Sequence, residues 1–334
     1  MTEPLRTVSG PVVADLTEGQ LLARVFPELP TGTATDLGPG DDAAVVKASD
    51  GRVVVSTDVL VEGRHFRRDW CTGQDVGWRA AVQNMADVAA MGARPTALVV
   101  GLVAPDDLPV DWVVDLARGM SLACAPHGVG VVGGDLSGGE QVVVAVTVMG
   151  DLEGRPPVLR SGARPGDVVA HAGVRGRSAA GLEVLGQGLD RHAWRRVVSA
   201  YLRPSCPLGA GVRAATAGAT AMMDVSDGLL TDARRMAVAS GVVIDLKAPE
   251  KVFTEDVQVL AAVASATGGR VGDWLLTGGE DHGLLACFPP GRVAPGFTVV
   301  GEVREGMPLV LVEGEVRPGS GGWDHFGAGS QERR

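Results

Sequence analysis

Lysine is nearly missing from this chain: Lys47, Lys247 and Lys251 are the only three among its 30 basic residues. A phosphate site centred on a lysine is therefore not expected, and no G-x-x-x-x-G-K-[ST] loop is present. Gly38-Pro39-Gly40 lacks the third glycine of a dinucleotide fingerprint. No G-x-S-x-G elbow occurs, and the six histidines are scattered without ligand or triad spacing, which argues against a nucleophilic triad. The four cysteines, Cys71, Cys124, Cys206 and Cys287, follow no metal spacing and read as free thiols of a reducing cytosol. No apolar run reaches the ~20 residues that span a bilayer. The opening Met1-Thr2-Glu3-Pro4 has no basic and apolar leader pattern, so a cytoplasmic protein without membrane association is expected. Basic runs are missing too: with a formal net charge of −10 and a pI near 5.1, no nucleic-acid surface is expected.

What is present is ample apolar material. At 334 residues, 45% hydrophobic and 21% charged, the chain is long enough for two domains with buried cores. Short strand patterns alternate with helical ones throughout, which indicates an α/β (α+β) architecture. Helices are expected over 15–26, 74–91 and 110–125, then 178–185, 194–202 and 227–240. Strands are expected over 53–57, 97–103, 129–132, 141–149, 168–171, 219–223, 242–246, 284–288, 297–303 and 309–312. The segment from Asp151 to Asp167 is punctuated by Gly154, Pro156, Pro157, Gly162, Pro165 and Gly166 and reads as a linker. The expected division is a domain over 1–152 and a second over 153–334.

Carboxylates recur at the ends of these strands. Asp41 and Asp42 follow a glycine turn, and Ser56-Thr57-Asp58 closes the next strand. Asn84 and Asp87 share one helix face at i, i+3 spacing, Gly133-Gly134-Asp135 ends another strand, and Asp224-Val225-Ser226-Asp227-Gly228 follows an apolar run in the second half. Any one of these aspartates reads more readily as a turn or cap residue, and Asp87 equally well as a solvated helix residue. Together they offer hard oxygen donors, the ligand set of Mg²⁺ or Ca²⁺. A site of this kind that binds nucleotide without a lysine needs bridging metal against the phosphate charge. Arg160, in the linker, is the side chain best suited to meet a phosphate, although a lone loop arginine is more often solvated.

The ordered set of motifs resembles the thiamine-monophosphate kinase family, within the superfamily of aminoimidazole ribonucleotide synthetase and selenophosphate synthetase. The resemblance rests on Gly40-Asp41-Asp42, Ser56-Thr57-Asp58, Gly63-Arg64-His65-Phe66, Asn84-Met85-Ala86-Asp87, Gly133-Gly134-Asp135, Arg160-Ser161-Gly162, Asp224-Val225-Ser226-Asp227-Gly228, Gly278-Gly279-Glu280-Asp281 and Trp323-Asp324-His325-Phe326. It implies an N-terminal domain whose β-sheet pairs with its copy in a homodimer, and a C-terminal α/β domain that completes the active site. It also implies ATP as co-substrate, several Mg²⁺ ions and thiamine monophosphate as acceptor. Carried over residue by residue, the metal ligands would be Asp42, Ser56, Thr57, Asp58, Asp87, Asp135, Asp224 and Asp227. Gly134, Asp135, Arg160 and Ser226 would contact ATP, and His65, Glu280 and Trp323 would face the thiamine phosphate. Asp58, Asp227 and Arg160 would carry catalysis. The chain departs from the family pattern at Pro39, Ala43 and His282-Gly283, where Tyr-Glu is usual. Aminoimidazole ribonucleotide synthetase is the alternative enzyme. A non-catalytic nucleotide or Ca²⁺ sensor is the alternative from another class.

Overall fold

A computed structural model describes residues 10–39 and 43–317 of the chain. They form two compact units, one drawn from Met1–Ala48, Val55–Asn84 and Pro95–Met149, the other from Ser49–Val54, Met85–Arg94 and Gly150–Arg334.

In the first unit, helix α1 (Glu18–Val25) opens on a capping box. The hydroxyl of Thr17 accepts from Gln20 N while the Gln20 side chain accepts from Thr17 N at 2.8 Å. Two short strands, β1 (Thr35–Leu37) and β2 (Val45–Val46), pair antiparallel. Strands β3 (Val54–Val61), β4 (Arg94–Ala104), β5 (Gly130–Gly138) and β6 (Val143–Asp151) form a sheet in the order β3-β6-β4-β5. Helices α2 (Gly73–Ala90) and α3 (Val110–Cys124) accompany the sheet. β4 and β5 run parallel, so the intervening α3 is their crossover. α2 packs on α3 backbone to backbone: a Cβ on Gly77 would stand 2.0 Å from Leu116 O, and one on Gly119 2.1 Å from Gln74 O.

The polar side of α2 is largely withdrawn from solvent: Asn84 is 0% and Gln83 8% exposed. Buried amides on a helix need partners, which is the first structural sign that this face has work to do. One expectation is corrected here: Asp58 and Asp135 do not follow their strands but lie inside β3 and β5, because both strands run several residues beyond their apolar segments.

The second unit is built on a six-stranded sheet of β7 (Val168–Ala172), β8 (Ala221–Val225), β9 (Val243–Leu246), β10 (Gly283–Phe288), β11 (Thr298–Arg304) and β12 (Leu309–Val312), in the order β12-β9-β11-β7-β10-β8. Only β12 and β9 are parallel; β10 runs antiparallel to both β7 and β8, and β11 to β7 and β9. Leu284 to Phe288 are all 0% exposed, which is why β10 reads as an unbroken apolar run. Helices α4 (Arg177–Gly186), α5 (Arg195–Leu202), α6 (Leu208–Ala217), α7 (Leu229–Ser240), α8 (Pro249–Val252), α9 (Thr254–Thr267) and α10 (Val271–Thr277) complete the unit. Asp224 too lies within its strand, β8.

Candidate active site

In the second unit the last turn of α2 carries Asp87, and α6 holds that turn in place: Gly211 packs so near that a Cβ there would stand 2.0 Å from Ala89 O. The carboxylate of Asp87 acts on Asp224 of β8, which is 7% exposed. Burial first, and then the negative charge of Asp87, push the Asp224 carboxyl up to about 7, while His282 and Arg160 pull the other way. Burial and the same two carboxylates hold the Cys206 thiol well above its ordinary range. Asp87, Asp224, Arg160, His282 and Cys206 therefore share one electrostatic neighbourhood.

Past β8 the chain turns through Ser226, Asp227 and Gly228. Gly228 has φ +110°, and a Cβ on it would meet Thr277 O at 2.7 Å, so this turn requires glycine. Asp232, in the first turn of α7, is wholly buried; one of its oxygens accepts from Asp227 N at 3.0 Å and the other from Arg235 Nη1 at 2.7 Å. The same Arg235 nitrogen reaches the Asp227 carboxylate at 2.5 Å. Nothing in the sequence marks this pair apart from the i, i+3 spacing of Asp232 and Arg235, which reads as a solvated helix ion pair.

Glu280 is tied to the same turn through its backbone N–H, which donates to Ser226 O at 2.7 Å. Glu280 (φ 65°) and His282 (φ 52°) both occupy the left-handed region, a strain of the kind kept at functional loops. Between them Asp281 is fully buried and accepts from Gly176 N at 2.5 Å and Ser178 N at 2.9 Å, with Arg175 Nη1 at 3.6 Å. Arg175 Nη2 donates to Gly278 O at 2.6 Å, so the loop is clamped at both ends.

In the first unit, Asp58 N donates to Asn84 Oδ1 at 3.1 Å, and Gln83 Nε2 lies 3.4 Å from Asp58 Oδ2. The buried amides of α2 thus fix Asp58. Strand alternation turns Thr57 away from Ser56 and Asp58, and its hydroxyl donates to Val146 O at 2.9 Å. Gly134 faces Val100 across the β4–β5 ladder, where a Cβ would come within 2.0 Å of Val100 O, and Asp135 beside it is exposed. His65 accepts from Val61 N at Nδ1, 2.9 Å away, which leaves the neutral ring's proton on Nε2. Its carbonyl accepts from Arg79 Nη1 at 2.9 Å. The loop that holds His65 also borders a cavity of about 360 Å³ lined by Glu62, Gly63, Arg67, Arg68 and Asp69.

Comparison with known proteins brings these features under one heading. Residues 40–152 match the family described as AIR synthase related protein, N-terminal domain, and residues 164–293 the corresponding C-terminal domain. A thiamine-monophosphate kinase of Mycobacterium tuberculosis is 52% identical over 291 residues, 87% of this chain and 86% of that protein. One from Corynebacterium glutamicum is 41% identical over 326 residues, 95% and 96% of the two chains. The chain belongs to the thiamine-monophosphate kinase family. A solved structure described as AaThiL complexed with AMPPCP and TMP superposes with a TM-score of 0.76 at 35% identity, covering 86% of this chain and 91% of that one.

Of the residues that the family pattern singles out, Asp42 and Trp323 lie outside the described residues. Among the described residues, no group of three or more His, Cys, Asp or Glu side chains is arranged to hold a metal ion. The Asp87–Asp224 pair nonetheless fits a hard divalent cation: two oxygen donors whose burial and mutual repulsion lift one of them to about 7 are relieved by positive charge between them. The departure at His282-Gly283 also has a local explanation. A Cβ at position 283 would stand 2.5 Å from His171 Nε2. That buried imidazole, neutral because burial lowers its pKa, occupies the space a family glutamate would need, with Phe253 edge-on at 5.4 Å.

Proposed function

We propose that the chain transfers the γ-phosphoryl group of ATP to the phosphate of thiamine monophosphate, forming thiamine diphosphate by direct in-line displacement, the last step of thiamine diphosphate biosynthesis. The observation that carries this reading is the 52% identity to a thiamine-monophosphate kinase over most of both chains. The acidic pair supports it, since a site without a phosphate-binding lysine has to meet ATP through metal. Asp42, Ser56, Thr57, Asp58, Asp87, Asp135, Asp224 and Asp227 are the proposed holders of more than one Mg²⁺, with Thr57 able to face the same side as Ser56 and Asp58 only through its backbone. Bound there, the ions would offset the negative charge of ATP and acceptor.

Gly134, Asp135, Arg160 and Ser226 are assigned to ATP, and His65, Glu280 and Trp323 to the acceptor. Asp58, Asp227 and Arg160 carry the transfer. A phosphomonoester has a second pKa of about 6, so the acceptor is already ionised at neutral pH and no general base is required. The proposed domain boundary, 1–152 and 153–334, is supported by the limits of the two family matches. A cytoplasmic homodimer is the proposed form. The free cysteines support the compartment, and the exposed valines of β3 support the pairing. No helix of the described residues is long and apolar enough to cross a membrane.

The test is a coupled assay of ADP release with thiamine monophosphate, thiamine and aminoimidazole precursors offered separately as acceptors. Turnover confined to thiamine monophosphate, with thiamine diphosphate recovered, is the expected result. Turnover with an aminoimidazole precursor instead, or nucleotide binding with no product from any acceptor, would overturn the reading.

A further inference from the structure

Arg235 has no role in the proposed transfer, yet it makes a close contact to one of the proposed metal ligands. Its Nη1 lies 2.5 Å from Asp227 and 2.7 Å from Asp232. Asp232 is wholly buried and keeps its second oxygen on Asp227 N at 3.0 Å, so the backbone of the acidic turn is anchored whether or not Arg235 touches Asp227. The Arg235 side chain is 43% exposed, so it can leave Asp227 while its tether to Asp232 remains. Asp232 is wholly buried, so of the two carboxylates only Asp227, whose side chain is 20% exposed, faces outward.

We propose that Arg235 is a resident counter-cation for Asp227. It holds that carboxylate while no divalent ion is bound there, and it must be displaced before Asp227 can act as a metal ligand. The strength of this ion pair then sets how tightly the second unit takes metal. The inference rests on the reading of Asp227 as a metal ligand, and its test separates the two. A partly exposed ion pair, its guanidinium 43% and its carboxylate 20% exposed, is weak enough to yield to a doubly charged ion, yet strong enough to lower that ion's apparent affinity. Arg235 is thus a positioning residue, one that acts on the metal through Asp227.

The test uses Mn²⁺ alone as probe, titrated into the full-length, nucleotide-free protein and followed by electron paramagnetic resonance and calorimetry. Arg235→Gln is expected to bind Mn²⁺ about 1.5- to fivefold more tightly, the range for loss of one competing surface ion pair. Arg235→Lys, which keeps the charge, is expected to bind as the parent does. In an Asp227→Asn background, Arg235→Gln is expected to change nothing, because the competed group is gone. If Asp227→Asn weakens Mn²⁺ binding but Arg235→Gln leaves it unchanged or weaker, the inference fails and the ligand reading stands. If Asp227→Asn leaves Mn²⁺ binding untouched, the ligand reading fails and takes the inference with it. Should Arg235→Gln not fold, the unaltered protein crystallised with Mn²⁺ decides the matter: Arg235 moved off Asp227 supports displacement, and an intact ion pair with metal on Asp227 refutes it.

Discussion

At the scale of single residues, Asp224 is the group whose environment says most about the site. Its carboxyl binds its proton more tightly in the folded chain, at about 7 against an ordinary 3.8. The stability that this gives is fully present below the unfolded value and is lost as pH rises through about 7. In EDTA, the thermal midpoint of the parent protein is therefore expected to fall between about pH 5 and about pH 8 by more than that of Asp224→Asn, since each tenfold gain in proton affinity is worth about 1.4 kcal/mol. Saturating Mg²⁺ is expected to remove the difference, and turnover of Asp224→Asn to drop by orders of magnitude. Parallel pH profiles for the two proteins in EDTA would refute the assignment. Asp224 is legible in the sequence as the carboxylate that closes an apolar run, and Asp87 as the one that shares a helix face with Asn84. Asp232 and Arg235 are not, because their spacing is that of any solvated helix pair and only the burial of Asp232 sets them apart.

At the scale of elements, the site depends on how α2 is held. Its sequence gives an apolar stripe from Trp78 to Ala89, and that much of the helix is readable from periodicity. Its glycine seam against α3 and the approach of α6 are not readable, because a glycine within a helix looks like a weakness until the neighbouring backbone is seen. α6 itself, from Leu208 to Ala217, is rich in glycine and alanine and carries only Leu208 and Val212 as large apolar residues. Strand ends escape the sequence for a related reason: apolar content marks where β3 and β5 are buried, whereas their hydrogen-bonded ladders continue through Asp58 and Asp135. Gly211→Ala puts a methyl group where Ala89 O stands 2.0 Å away, so α6 and the last turn of α2 have to separate. Overpacking of this kind costs about 1–3 kcal/mol, measurable by urea denaturation. Because that turn bears Asp87, Mn²⁺ affinity is expected to fall as well. A variant that loses stability but keeps parental metal affinity would show that Asp87 is placed by other contacts.

At the scale of the whole molecule, charge and exposed surface point in different directions. A net charge of −10 favours a soluble, well-separated protein. Against this, β3 is an edge strand whose outward residues include Val55 at 63% and Val59 at 45% exposure. Next to it, β6 leaves every second residue from Val143 to Met149 half-exposed. Open strand edges are ordinarily protected by charge, proline or a covering element, and β3 shows valines instead. A second copy of the same sheet would bury these side chains, which is the pairing that the family resemblance implies and that the alternation over 143–149 suits. The chain is accordingly expected to sediment as twice its 34.3 kDa mass. Val55→Asp with Val59→Asp places like charges on a surface that a two-fold axis would bring against itself, and each would be desolvated without a partner. That double variant is expected to sediment as a monomer with an unchanged far-ultraviolet spectrum, since both positions are solvent-exposed in the single chain. A parent protein that is monomeric at micromolar concentration, or a double variant that remains dimeric, would show that the valine face of β3 is not where two copies meet.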